Sequence, residues 1–232
     1  MGIFLIILKM KRLFLFITEK FLTLLYHPLA IFYDLVAWII SGGRWHNWIL
    51  TALPYIHGSK ILELGYGTGH LQTALIESGR LTFGLDESRQ MSRIAKAKIM
   101  RTIEKGSMDK YSECPPFPHL TCGKTQNLPY PANVFSTIVA TFPTSYIFDP
   151  LTLQEIYRTL QKDGQLVVIP NAWITGNSLW DIAAAWLYKI TGQAEPPSFT
   201  EIKPFQDIGF EINTCVVEHK TSRVMVIIAR KT

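Results

Sequence analysis

The chain has 232 residues, 48% of them hydrophobic and 18% charged, which is enough apolar content for one sizeable core and too much for a disordered chain. Cys114, Cys122 and Cys215 are odd in number and form no C-x-x-C pair, which excludes a disulfide framework and a cysteine-held zinc site and leaves no metal to expect. Of the net charge of +5, residues 1–60 supply +4, through Lys9, Lys11, Arg12, Lys20, Arg44 and Lys60 against Glu19 and Asp34; the nearly neutral remainder argues against nucleic acid as a partner.

The first forty residues are rich in Leu, Ile and Phe. Lys9, Lys11, Arg12, Glu19 and Lys20 nevertheless interrupt every window long enough to cross a bilayer, and Pro28 breaks the longest charge-free run. At about 100° per residue, Lys9, Arg12, Glu19, Lys20 and Thr23 fall in one sector about 100° wide, with Lys11 outside it. The pattern predicts an amphipathic helix lying in a membrane surface, its basic residues against anionic headgroups. Packing on the protein's own core, or on a second subunit, suits the same pattern and stays open. A signal peptide is disfavoured because the charges follow the first apolar run, and Ile6 stands where a myristoylation signal needs Ser or Thr. The chain thus divides into an apolar, basic helical extension over 1–42 and a domain over 43–232. The expected location is cytoplasmic, with peripheral contact on the inner face of the cell membrane as the option the extension adds.

Further along, Ile61-Leu62-Glu63-Leu64 reads as a short buried strand, and Gly65-Tyr66-Gly67-Thr68-Gly69 as a tight turn before an apolar helix carrying Leu71, Ala74 and Leu75. Such a turn lets main chain approach a nucleotide-type ligand, and the N–H groups opening the helix face its polar parts. A dinucleotide fingerprint needs a small residue where His70 stands, so an NAD-dependent oxidoreductase is a distant reading. The G-x-G-x-G spacing after Leu-Glu-Leu instead resembles motif I of the class I S-adenosylmethionine-dependent methyltransferases. In that family the Glu63 position lies near the methionyl end of the cofactor, and the positions of Gly65, Gly67 and Gly69 lie under it. Tyr33-Asp34 ahead of a helix resembles the entry segment of quinone-type and related small-molecule members, where the tyrosine lies over the cofactor pocket.

Leu81 to Leu85 is the second expected strand, ending at Asp86, 17 residues past Gly69. A carboxylate there can accept both hydroxyl hydrogens of a ribose beside the glycine turn. The run from Gly84 to Met91 resembles the family's second motif, which puts Met91 near the adenine. Arg89, Arg93, Lys96, Lys98, Arg101 and Lys105 point in several directions around the next helix and read as a solvated surface. After a proline loop through Cys114, Gly123-Lys124-Thr125-Gln126 and the strand Val134 to Ala140 resemble the adenine-contacting turn and fourth strand, implying Thr125, Gln126 and Ala140 on the cofactor side. Lys124 stands where the family usually has an acid, so Gln126 or a backbone carbonyl has to take the acceptor role.

The loop Thr141 to Tyr146 lies past that strand, where substrate loops of open α/β sheets sit. A helix from Leu151 to Leu160, an Asp163-Gly164 turn and a strand from Gln165 to Ile169 match the fifth unit. Leu179, Trp180, Ile182, Ala183, Trp186, Leu187 and Ile190 then make a helix apolar nearly all round, expected to wall a greasy pocket together with the N-terminal helix, or equally to extend the core. Residues from Phe205 to Ala229 close the fold with a helix and an antiparallel strand pair. The resemblance therefore implies a Rossmann-like α/β fold, a seven-stranded methyltransferase sheet with helices on both faces plus the apolar N-terminal helical extension. It implies S-adenosyl-L-methionine as cofactor and methyl transfer to a small acceptor; the apolar walls favour a quinone-, phenol- or lipid-like one. Such a displacement demands positioning before any catalytic group, and His70, Tyr66 and Tyr146 are the candidate bases for a hydroxyl acceptor. A non-catalytic, membrane-associated protein that keeps the fold is the alternative, motivated by Lys124.

Overall fold

The computed structural model describes residues 30–104, 118–190 and 197–232. The extension expected over 1–42 lies outside the described residues as far as residue 29, as does the proline loop as far as residue 117. A 3-10 turn, Ala30–Phe32, leads into α1 (Tyr33–Ile40), and α2 (Trp45–Leu50) follows the Gly42-Gly43 turn. Then come β1 (Lys60–Leu64), α3 (His70–Glu77), β2 (Leu81–Asp86), α4 (Arg89–Glu104), β3 (His119–Cys122) and β4 (Phe135–Thr141). A 3-10 turn, Ser145–Phe148, precedes α5 (Pro150–Thr159), β5 (Leu160–Ile169), β6 (Ala172–Ile174), α6 (Leu179–Ile190), α7 (Phe199–Asp207), β7 (Phe210–His219) and β8 (Ser222–Lys231).

Strands β1 to β5 run parallel in the order β3-β2-β1-β4-β5; β8 lies antiparallel beside β5, and β7 pairs antiparallel along the whole of β8. The sheet has eight strands where seven are expected. The additional one is β6, which takes over from β5 on the same edge of β8: Gln165–Val168 pair with Ile227–Arg230, and Ala172–Ile174 with Ser222–Val224. Pro170, with no N–H to give, stands between the two. β5 also starts at Leu160 and not Gln165, because a register shift against β4 absorbs the expected Asp163-Gly164 turn as a bulge, with Asp163 at φ 61°.

The period-2 alternation of the central strands divides the core in two. Ile61, Val139 and Val167 face Ala37, Trp45, Trp48, Ile49, Leu71 and Leu75 of α1 to α3. Leu62, Ile138 and Leu166 face Leu153 and Ile156 of α5 and Phe205 of α7. Covered on both faces, these strands are largely hydrophobic where they are buried, and Glu63 of β1 is the one acid buried within them. Because β2 and β4 flank β1 on opposite sides, the chain reverses its winding there and opens a crevice at the carboxyl ends of β1 and β4.

Candidate active site

The crevice holds a cavity of about 640 Å³ whose floor is Glu63, Gly65 and Gly67. Asp86, Glu87 and Ser88 at the end of β2, with Gly123 to Gln126, form one side. Tyr33 of α1, Trp45 and Ile49 of α2, Leu71 of α3 and Phe142 to Tyr146 after β4 form the other. Two unlike walls therefore share one volume, the first polar and acidic, the second largely apolar.

The glycine turn is shaped for close approach. Gly65 and Gly67 have φ of 68° and 51°, in the left-handed region that disfavours side chains. A Cβ on Gly65 would lie 2.7 Å from the Tyr146 hydroxyl, whereas one on Gly67 would meet nothing within 4 Å and would project into open cavity. The Gly67 N–H donates to Asp86 Oδ2 at 2.9 Å, and the Ser88 N–H donates to Oδ1 at 2.7 Å. Those bonds fix the carboxylate at the cavity wall.

Glu63 is 1% exposed, and among the described residues its Oε2 has no hydrogen-bond partner. Burial, reinforced by the neighbouring charge of Asp86 and opposed by the Gln72 amide, pushes its carboxyl up to about 8. A buried polar atom without a partner costs stability, which marks Glu63 out among the residues of the cavity floor.

Phe142 is a non-glycine residue held at φ 48°, a conformation that costs roughly 1–3 kcal/mol and concentrates at functional sites. Its ring stacks on Trp45, 4.4 Å between centroids, and its N–H donates to Ile169 O. Trp45 and Phe142 were not singled out from the sequence as wall residues, although Trp45, Trp48 and Ile49 recur at helical spacing on one face of α2 and are all buried. The expected wall, α6, takes no part. Leu179, Trp180, Ile182, Trp186 and Leu187 are exposed, and the helix rests on Ala184, Tyr188 and Asp181, the last paired with Arg44.

The structure brings Glu63, Gly65, Gly67, Asp86, Thr125 and Gln126 to the cavity, together with Tyr66, His70 and Tyr146. It does not bring Gly69, Met91 or Ala140 there. A Cβ on Gly69 would sit 2.9 Å from that of Ala95, so this glycine serves helix packing, while Met91 and Ala140 are fully buried. Lys124 is 71% exposed with its ammonium 3.6 Å from Glu87, at the rim and turned toward an acid.

A family model described as a methyltransferase domain matches residues 62–168. A demethylmenaquinone methyltransferase of Symbiobacterium thermophilum is 25% identical over 158 residues, 65% of this chain and 59% of that protein. Two solved structures share the fold. A S-adenosylmethionine-dependent methyltransferase of Thermotoga maritima has a TM-score of 0.56 at 18% identity, covering 86% of this chain and 95% of that one. Magnesium protoporphyrin IX methyltransferase of Synechocystis, with bound S-adenosylmethionine, scores 0.51 at 16% identity over 81% and 76%. Residues 62–168 carry a methyltransferase domain, on the fold of the class I S-adenosylmethionine-dependent methyltransferases. The chain spans less than two thirds of the length of the curated relatives it matches.

Within the methyltransferase domain the candidate bases have different surroundings. Burial, only partly offset by a 2.6 Å hydrogen bond with Ser92, pushes the Tyr66 hydroxyl up to about 12, out of range for a base at neutral pH. Tyr146 donates to the Leu64 carbonyl at 3.1 Å. His70 Nε2 lies 3.2 Å from Asp34 Oδ1 and 3.1 Å from Lys98 Nζ, and its Nδ1 lies 3.3 Å from His46 Nδ1. Asp34 also accepts from Thr68 Oγ1 at 2.6 Å and from Lys98 at 2.8 Å. Burial raises its carboxyl, but the bonds from His70, Lys98 and Thr68 outweigh that and hold it well below the usual carboxylate range. Asp34 thereby clasps α1 to the glycine turn, to the first residue of α3 and to α4. No signal in the sequence joins those four places.

Proposed function

We propose that the protein transfers the methyl group of S-adenosylmethionine to a small, lipophilic acceptor of quinol, phenol or lipid type. The observation that carries this reading is the single cavity with a polar cofactor wall facing an apolar wall. S-adenosylmethionine supplies an electrophilic methyl group on a sulfonium, so the protein's work is to align two reactants and exclude water. Asp86 accepts from the ribose hydroxyls, Glu63 meets the charged methionyl end, and Gly65 and Gly67 admit the ligand against the main chain. Thr125 and Gln126 lie on the adenine side, where Gln126 is held by donating to Asp149 Oδ2 at 2.9 Å. Tyr33, Trp45, Ile49, Leu71 and Phe142 hold the acceptor. If the accepting atom is a hydroxyl oxygen, His70 serves as the base through Nδ1, in place of that atom's contact with His46, while Asp34 holds Nε2. Residues 43–232 then form the catalytic domain, and the extension over 1–42 contributes Tyr33 and Asp34 to it. The similarity to a demethylmenaquinone methyltransferase supports the acceptor class.

Calorimetry tests the cofactor half. S-adenosylmethionine and its demethylated product should bind in the micromolar range, about −8 kcal/mol, and NAD should not compete. Asp86→Ala should weaken binding by about 1 to 3 kcal/mol through two lost bonds to a charged group. Binding of the sulfonium ligand weaker than about 1 mM by a folded protein would favour the non-catalytic alternative.

A further inference from the structure

Beside the apolar wall, titratable side chains from four helices meet: Asp34 of α1, His46 of α2, His70 of α3 and Lys98 of α4. Of these, His70 lines the cavity. Its Nε2 lies 3.2 Å from Asp34 Oδ1, which only accepts, and 3.1 Å from Lys98 Nζ, which only donates. That nitrogen therefore has a partner whether or not it carries a proton, and the ring can take up and give back a proton at Nδ1 without losing its anchor. Nδ1 faces His46 Nδ1 at 3.3 Å, with the rings 5.1 Å apart and inclined by 66°. One proton fills the gap between those two nitrogens; two would set N–H against N–H. His46 is exposed, although Trp45 and Ile49 on the same short helix line the cavity. The pair thus runs from the site to solvent.

We infer that His46 is the proton outlet of the site, receiving from His70 the proton that the acceptor hydroxyl gives up and releasing it to water. The role rests on the reading above, methyl transfer to a hydroxyl acceptor. The acceptor oxygen bonds the methyl carbon as the carbon–sulfur bond breaks with its electron pair on sulfur, and the hydroxyl proton passes to His70 Nδ1. The imidazolium keeps its Nε2–H on Asp34. Once the product leaves and the two Nδ1 atoms meet again, the proton crosses to His46, and His70 regains its starting form. His46 then loses its Nε2 proton to water, and exchange with solvent restores its first tautomer, so one proton leaves per methyl group transferred. The charges around His46 favour that release. Partial desolvation, His70 and Lys98 lower its proton affinity and outweigh Glu77 and Asp34, which raise it. His46 touches no reactant and acts through His70.

Two measurements on the full-length chain test this role. The first needs no turnover: nitrogen-15 NMR of the imidazoles across the neutral pH range should show His46 and His70 titrating as a coupled pair, with the His70 Nδ1 signal moved by His46→Ala. Independent titration, or a His70 signal that the substitution leaves in place, would overturn the inference whatever the activity. The second follows labelled methyl from S-adenosylmethionine to a short-chain hydroquinone. His46→Ala should lower kcat about tenfold or more in dilute buffer with KM for the hydroquinone little changed, and concentrated imidazole should restore the rate by taking the proton directly. A merely structural role would not respond to the buffer. Equal rates for the two proteins, or a loss that imidazole does not restore, would overturn the outlet and leave methyl transfer standing. No transfer by the unmodified protein would remove the reading beneath it, and the outlet with it.

Discussion

Glu63 is the residue on which the chemistry of the cavity floor turns. Its carboxyl titrates at about 4.5 when unfolded and about 8 when folded, so the native state holds the extra proton. The linkage has one sign: the contribution to stability is complete below pH 4.5 and is lost as pH rises toward about 8, at roughly 1.4 kcal/mol per unit. Glu63→Gln carries no such charge, so its melting temperature should fall less between pH 5 and pH 8 than that of the unmodified protein. Parallel curves would show that Glu63 is not the buried acid described. The identity of this residue was legible in the sequence because an acid inside an apolar strand, followed by glycines, is a local pattern. So were the placements of Gly65, Gly67 and Asp86, each fixed by spacing along one β-α-β unit. Asp34 was legible only as part of a dipeptide. Its bonds to Thr68, His70 and Lys98 cross three elements and leave no periodic trace.

At the scale of elements, the two tryptophan-bearing helices exchange the roles that composition suggests. Trp45 on the six-residue α2 is 8% exposed and stacked on Phe142, whereas Trp186 on α6 is 64% exposed. Trp45→Ala should therefore cost about 3 to 5 kcal/mol of stability, as a large core deletion does. Trp186→Ala should stay within about 0.5 kcal/mol in urea titrations. A large loss at Trp186 with little at Trp45 would mean that α6, and not α2, backs the site. A helix apolar nearly all round was expected to wall the pocket with the N-terminal helix or to extend the core; none of its residues lines the cavity, and the helix expected to cover it lies outside the described residues as far as residue 29. The wall formed by Trp45 and Phe142 was missed for a different reason: it joins residues on opposite sides of β1 in sequence and depends on the left-handed turn at Phe142.

The whole molecule was the most legible level. Parallel strands alternating with helices specify an open sheet with its site at the carboxyl ends of the strands, and the described residues are arranged that way around β1 and β4. The β5-to-β6 handover escaped because Pro170 looked like an end and not a pause. The central claim is that this cavity joins a methyl donor to a lipophilic acceptor. The most direct measurement incubates the full-length protein with S-adenosylmethionine labelled in its methyl group, together with a short-chain hydroquinone, a lipid extract or a polar metabolite pool, and follows the label. The account predicts label in the hydroquinone or the lipid extract, dependent on Asp86 and abolished by the demethylated product. Label confined to the polar pool would contradict the acceptor class, and no transfer to any pool by protein that binds the donor would contradict the claim itself.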